Sequence, residues 1–169
     1  TIDASVAKFN ANDNGPIHKP AAFNIDILRG KASATLENKF DKLQGAFKVY
    51  RNFGEHTLSD GFHSTDRNSG AMLYQTFKFN TGTLVTAGID FKQYGGVVNQ
   101  TKYRDSLLTV NELAVYAYAQ QNMFEKLTLS AGLRLENNSG YGKELVPMGG
   151  ISYYPTENTT FKLNASKGF

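Results

Sequence analysis

Lys126-Leu-Thr-Leu-Ser-Ala-Gly-Leu-Arg-Leu-Glu136 alternates without a break. Leu127, Leu129, Ala131, Leu133 and Leu135 fall on one parity, and Thr128, Ser130, Gly132, Arg134 and Glu136 on the other. A period of two belongs to a β-strand, whose successive side chains leave opposite faces. Such a run lays one face against something apolar and turns the other toward something polar. The apolar partner is either a second sheet, as in a soluble sandwich, or lipid around a membrane-spanning barrel whose inner face is wet.

Working outward, the same pattern recurs. Thr159 to Phe169 sets Phe161, Leu163 and Ala165 against Lys162, Asn164 and Ser166, and Leu145 to Tyr154 lies between the two runs. Upstream, Asn111 to Met123 places Leu113, Val115, Ala117 and Ala119 opposite Tyr116 and Tyr118, with the apolar side ambiguous. In Leu84 to Tyr94, Val85, Ala87, Ile89 and Phe91 oppose Thr86, Gly88, Asp90 and Lys92, and Ala71 to Phe79 groups Leu73, Phe77 and Phe79. Leu43 to Phe53 and Phe23 to Lys39 continue the series, and Ile2 to Phe9 is a weaker strand. In Phe23 to Lys39 the apolar parity changes between Ile27 and Leu28, which predicts a β-bulge near Arg29 and Gly30. The reading is all-β, an antiparallel meander of about nine strands.

The predicted connections alternate in length. Residues 10–22, 54–70 and 95–110 read as long loops and 137–144 as an intermediate one, whereas 40–42, 80–83, 124–125 and 155–158 read as tight turns. In a meander, alternate turns fall at the same end. Short turns at one end and long loops at the other are the pattern of an outer-membrane barrel, and a Greek-key sandwich has no reason to sort its connections in this way. Complete bacterial barrels have an even strand number, so nine crossings imply residues 1–169 to be a single β-barrel segment, incomplete as a barrel.

Composition agrees and excludes other classes. No run of about 18 apolar residues offers a transmembrane helix, and a mean hydropathy of −0.40 is compatible with a barrel, whose alternation dilutes its hydrophobicity. Twelve Phe and nine Tyr suit strands and interfacial girdles. The absence of Cys removes disulfides and thiolate metal sites, and a net charge of +3 from scattered Lys and Arg gives no nucleic-acid footprint.

Four segments carry a family resemblance: Asn111-Glu-Leu-Ala-Val-Tyr-Ala117, Lys126-Leu-Thr-Leu-Ser-Ala-Gly-Leu-Arg134, Val146-Pro-Met-Gly-Gly-Ile-Ser-Tyr153 and Ala165-Ser-Lys-Gly-Phe169. In order and spacing this set resembles the mid-barrel region of TonB-dependent outer-membrane receptors. Gly54-Glu-His56 and Gly88-Ile-Asp90 match more loosely. The resemblance implies a non-enzymatic transporter of the bacterial cell outer membrane, taking up a scarce nutrient such as a ferric siderophore or other metal chelate. It also implies a plug domain outside this chain, through which TonB and its inner-membrane complex act. The implied partners are thus TonB, the nutrient ligand and outer-membrane lipid, with no nucleic acid and no cofactor. The alternatives are a small stand-alone outer-membrane barrel with a structural or adhesion role, and a soluble β-sandwich binding module.

Candidate site residues follow from this frame. Long loops on a rigid wall are where recognition concentrates. His56, Asp60, His63, Asp66, Arg67, Lys102, Tyr103 and Arg104 are therefore the ligand-binding candidates. His56, Asp60, His63 and Asp66 carry first-row metal-ligand chemistry within 11 residues, but without Cys or a helix to fix their spacing a solvated loop is the plainer reading. No nucleophile, base and orienter can be assembled from spacing, so no catalytic residue is expected. Asp90, Lys92, Arg134, Glu136 and Lys162 are expected on the lumen face, where charge can hydrogen-bond a plug, or else form an ordinary polar sheet face. Asn137-Asn-Ser139 has the form of a glycosylation acceptor, incidental in a bacterial outer-membrane protein.

Overall fold

The structure, a computed structural model, describes residues 1–19, 23–80, 82–100 and 103–168, and the side chains of all of these except 23, 80, 99, 100 and 103–107. Nine strands follow one another: β1 (Ile2–Asp13), β2 (Phe23–Lys39), β3 (Leu43–Leu58), β4 (His63–Asn80), β5 (Thr83–Gln100), β6 (Tyr103–Met123), β7 (Leu127–Asn138), β8 (Gly142–Thr156) and β9 (Thr159–Ser166). They form one antiparallel sheet in sequence order. The described residues contain no helix. A single sheet in meander order, with its large apolar side chains exposed, sets aside the soluble sandwich.

By internal contacts the chain divides into two compact units. One comprises Thr1–Thr35, Val49–Gly70 and Lys92–Asn111, and the other Leu36–Lys48, Ala71–Phe91 and Glu112–Phe169.

In the second unit, register fixes the faces. Pairs Val115↔Leu135 and Met123↔Leu127 join β6 to β7, Leu129↔Ile151 and Leu127↔Tyr153 join β7 to β8, and Ile151↔Leu163 and Tyr153↔Phe161 join β8 to β9. One face therefore carries an apolar field, interrupted in β6 by Gln121 opposite Leu129. Its side chains are exposed, among them Leu133, Ile151, Phe161 and Leu163. The opposite face carries Asn122↔Thr128 and Thr128↔Ser152, with Lys162 opposite Ser152. This ends the ambiguity in β6: Leu113 and Val115 lie on the apolar face, Tyr116 and Tyr118 on the polar one. Apart from Gln121, the apolar parity runs from Leu113 to Met123 and from Leu127 to Leu135, close to the roughly 9–11 residues with which a tilted strand crosses a bilayer.

A polar pair on the apolar face shows how strictly it is kept satisfied. Asn38 Nδ2 donates to Gln75 Oε1 (3.2 Å) and Gln75 Nε2 donates to Asn38 Oδ1 (2.8 Å). The two amides meet over Gly45, where a Cβ would strike the Gln75 amide and the Tyr74 carbonyl.

Two sequence expectations are corrected. Residues 54–70 and 95–110 are not loops. β3 continues to Leu58 and β4 begins at His63, while β5 continues to Gln100 and β6 begins at Tyr103. The extra length lies in the strands: at about 3.3 Å per residue the 21 residues of β6 extend about 70 Å, roughly twice the ~30 Å hydrocarbon layer. No bulge exists at Arg29 or Gly30 either, since β1 and β2 stay in register from Ile2↔Ala34 to Asp13↔Phe23. The parity change has another cause. Where a strand leaves the apolar layer, nothing requires its outward side chains to remain apolar. Ile2, Val6 and Ala34 hold the apolar parity at one end of the ladder, and Lys8 and Asp26 take the same face beyond it.

Candidate functional site

Because Leu133 and Leu135 claim the apolar face of β7, Arg134 between them must project from the other. There its guanidinium is divided among three carboxylates from three strands: Nη1 donates to Asp90 Oδ2 on β5 (2.7 Å), Nη2 to Glu112 Oε1 on β6 (3.2 Å) and Nε to Glu136 Oε2 on β7 (2.9 Å). Tyr116 places its ring 5.9 Å from the guanidinium carbon, and the Tyr141 hydroxyl donates to Glu136 Oε1. Only a planar fork with several donors spans three strands in this manner, which a lysine ammonium cannot imitate. The side chains are largely withdrawn from water, at 19% exposure for Arg134, 15% for Asp90, 10% for Glu112 and 4% for Glu136. Asn138, on the same face, accepts the Gly140 N–H on Oδ1 at 2.8 Å and closes the 139–141 turn. Asp90, Arg134 and Glu136 thus stand together, joined by Glu112, Tyr116 and Tyr141, which sequence reasoning missed. Glu112 and Tyr116 share the even parity that marks this face of β6.

Lys92, half-buried, shares the parity of Asp90 on β5, and Lys162 lies exposed on the polar face of β9.

In the first unit the histidines part company. Arg29 Nη2 donates to His56 Nε2 (3.0 Å), and Asp66 Oδ1 lies 3.9 Å from the same nitrogen. A guanidinium can only donate, so in this contact the ring nitrogen is the acceptor. His63 Nδ1 is 3.1 Å from Thr57 Oγ1, and its Nε2 is 3.8 Å from Glu55 Oε1. Thr57 adjoins His56 in β3, so the two point to opposite faces and His63 goes with Thr57. Asp60 caps the 59–62 turn, accepting the Phe62 N–H at 2.9 Å. His56, Asp60, His63 and Asp66 therefore do not converge, and among the described residues no group of three or more such side chains could hold a metal ion. Arg67 lies on the face away from Asp66. Lys102 lies outside the described residues, as do the side chains of Tyr103 and Arg104. Arg29 went unnoticed in the sequence because it sat at the supposed bulge.

A nine-stranded meander with an exposed apolar field and an ion-paired opposite face needs a lipid exterior and a polar interior. The sequence matches the family of TonB dependent receptor-like β-barrels over residues 5–169. The chain belongs to that family. No curated protein sequence matches it. Among solved structures it is similar to the siderophore receptor PirA from Pseudomonas aeruginosa, at 15% identity and a TM-score of 0.78, over 98% of this chain and 29% of that one. The chain therefore spans less than a third of that receptor's length. The family is an outer-membrane one of receptors and transporters. The apolar field and the face of Arg134, Asp90 and Glu136 are thus the two opposite faces of a segment of TonB-dependent receptor barrel wall.

Proposed function

We propose that residues 1–169 act as one segment of the barrel wall of a bacterial outer-membrane TonB-dependent receptor that takes up a scarce nutrient such as a ferric siderophore or another metal chelate. TonB and its inner-membrane complex would drive transport through a plug supplied outside this segment. What supports the reading is that the face opposite the apolar one is charged in each unit: the Arg134 network in one, and Arg29 with His56 and Asp66 in the other. A lumen wall of that kind offers contacts both to a plug and to a polar cargo. Asp90, Glu112 and Glu136 are engaged with Arg134, which leaves exposed Lys162 as the readiest donor to a plug carboxylate. Arg29 and His56 are the residues we assign to cargo, with Asp66 steering them.

The test uses the full-length receptor on cells. Arg29→Ala combined with His56→Ala should reduce ligand affinity and uptake by about tenfold, the size of one lost charge-assisted hydrogen bond, with unchanged surface expression. Affinity and uptake equal to wild type would move the cargo site off this segment. A receptor that fractionates away from the outer membrane would sink the whole reading.

A further inference from the structure

The hairpin of β3 and β4 carries a histidine on each of its faces, and each stands just beyond hydrogen-bond reach of a carboxylate on the other strand. On one face His56 Nε2 of β3 is 3.9 Å from Asp66 Oδ1 of β4, and on the other His63 Nε2 of β4 is 3.8 Å from Glu55 Oε1 of β3. The contacts made instead need no charge on the ring: Arg29 Nη2 donates to His56 Nε2 (3.0 Å), and Thr57 Oγ1 lies 3.1 Å from His63 Nδ1. Among side chains of these types, imidazole is the one that ordinarily changes charge between pH 5 and 8. The arrangement therefore has two settings. A neutral His56 accepts from Arg29. A charged His56 has no lone pair to offer and stands cation to cation against Arg29, with Asp66 only about 1 Å farther than a charge-assisted bond requires.

The other charges around the hairpin hold steady while the rings change. On the face of His56, β2 supplies Arg29 and, further along the same parity, Lys31, which pairs with Asp3 at 2.9 Å. Ala7 of β1 lies opposite Arg29, β4 supplies Asp66, and β5 meets this stretch of β4 at Gly96, against Thr65 and Asp66. On the face of His63, Glu55 shares one hollow with Arg51, Arg67 and Val97 and another with Lys8 and Asp26. Asp26 in turn accepts from Asn10 Nδ2, and Asp60 is held in the turn by the Phe62 N–H.

We infer that the β3–β4 hairpin is a proton-operated clasp: protonation of His56 and His63 exchanges the Arg29 bond for a pair with Asp66 and draws Glu55 onto His63, so that both faces are pinned across the strands while Arg29 is released. Both pairs join β3 to β4, so their effects on the opening of the hairpin add. Each is partly exposed and therefore weak, and together they shift the opening equilibrium about threefold to tenfold. Under the transport reading Arg29 belongs to the cargo site, where acid would present it free of its imidazole partner. The clasp itself does not depend on that reading.

The experiment follows amide hydrogen exchange over residues 54–66 by mass spectrometry, in the ligand-free full-length receptor, at about pH 5.5 and about pH 8, on either side of the imidazole range. Comparing variant with wild type at one pH cancels the intrinsic pH dependence of exchange. Glu55→Gln with Asp66→Asn should speed exchange about threefold or more at the acid pH and leave it unchanged at the alkaline one, because the two pairs form only with charged rings. Arg29→Gln should do the reverse, speeding exchange about twofold at the alkaline pH alone. In a chain that also carries His56→Gln and His63→Gln, neither effect should depend on pH. A carboxamide variant that differs from wild type equally at both pH values, or at neither, would overturn the clasp, since a merely structural role does not titrate. So would an Arg29→Gln effect that is the same at both. No ligand is present, so failure here is distinct from failure of the transport reading, which is judged on affinity, uptake and outer-membrane location.

Discussion

Arg134 and His56 both face carboxylates from the polar side of a strand, and they do so with opposite economy of contact. Around Arg134 three ion pairs of 2.7 to 3.2 Å cross three strands with exposures between 4% and 19%. Around His56 the carboxylate stands at 3.9 Å, and the two side chains are 30% and 55% exposed. A network fully engaged and desolvated has little left to offer a ligand, and breaking it leaves buried charge. A loose, wet cluster contributes little to the fold and can exchange its partners for a ligand at small cost. On the proposed function, the difference separates wall from site.

The strongest way to break the comparison is Arg134→Met in the full-length receptor. Three carboxylates would remain together without their guanidinium, and loss of one partner from such a network costs about 3–5 kcal/mol. Urea unfolding followed by heat modifiability should show this loss. Adding Asp90→Asn, Glu112→Gln and Glu136→Gln to the same chain should recover much of it. Arg134→Lys should lie near Arg134→Met, because one ammonium cannot reach three strands. Lysine behaving as wild type would mean that net charge, not the fork, holds β5, β6 and β7 together.

Next in size is the lipid face of the same strand. Leu133→Arg puts a guanidinium into hydrocarbon two residues from the middle of the Leu127 to Leu135 run, at about 2–4 kcal/mol near the bilayer midplane. The neighbouring change Ser130→Arg, on the lumen side, should cost much less in the same unfolding measurement. Equal costs would deny that the two faces meet different solvents.

How far the sequence spoke depended on that same contrast of solvents. Within the apolar layer each outward residue must be apolar, and the alternation of β5, β7 and β9 was legible at once. Beyond the layer both faces meet water, so 54–70 and 95–110 lost their period and read as loops although they are strand for most of their length. The same exit mimicked a bulge at Arg29 and Gly30, where lipid parity ends. In β6 the alternating Ala and Tyr left the faces undecided, and only the pairing of Val115 with Leu135 resolved them. Asp90, Arg134 and Glu136 were recoverable from parity alone. Glu112 and Tyr116 were not, since their contact to Arg134 depends on register, which a list of strands does not contain. His56 and His63 looked like one cluster because their separation in sequence hides a hairpin that puts them on opposite faces.

A subtler test probes the satisfied amides within the lipid face. Gln75→Leu leaves Asn38 Oδ1 without its donor where lipid offers none, while Nδ2 keeps a 3.4 Å contact to the Leu43 carbonyl, which should cost about 1–3 kcal/mol. Asn38→Leu with Gln75→Leu removes both polar groups and should cost less than either single change. A double variant as unstable as the sum of the singles would show that each amide acts on its own.

The smallest expected effect concerns stability at the candidate site, and it discriminates best. His56 holds one hydrogen bond from Arg29 and a distant carboxylate, both in water, and exposed pairs of this kind contribute about 0–1 kcal/mol. His56→Ala should therefore leave the unfolding midpoint of the full-length receptor nearly where it was, while ligand affinity falls. Arg29→Ala should behave alike, because removing the donor leaves an imidazole that water can solvate. The two changes together should cost no more stability than the singles added, and their effects on affinity should be less than additive if Arg29 and His56 engage the same ligand group. A large loss of stability from His56→Ala would place it with Arg134 as part of the wall. Additive losses of affinity would instead mean that the two side chains touch different parts of the cargo, and the site would be wider than the Arg29–His56 pair.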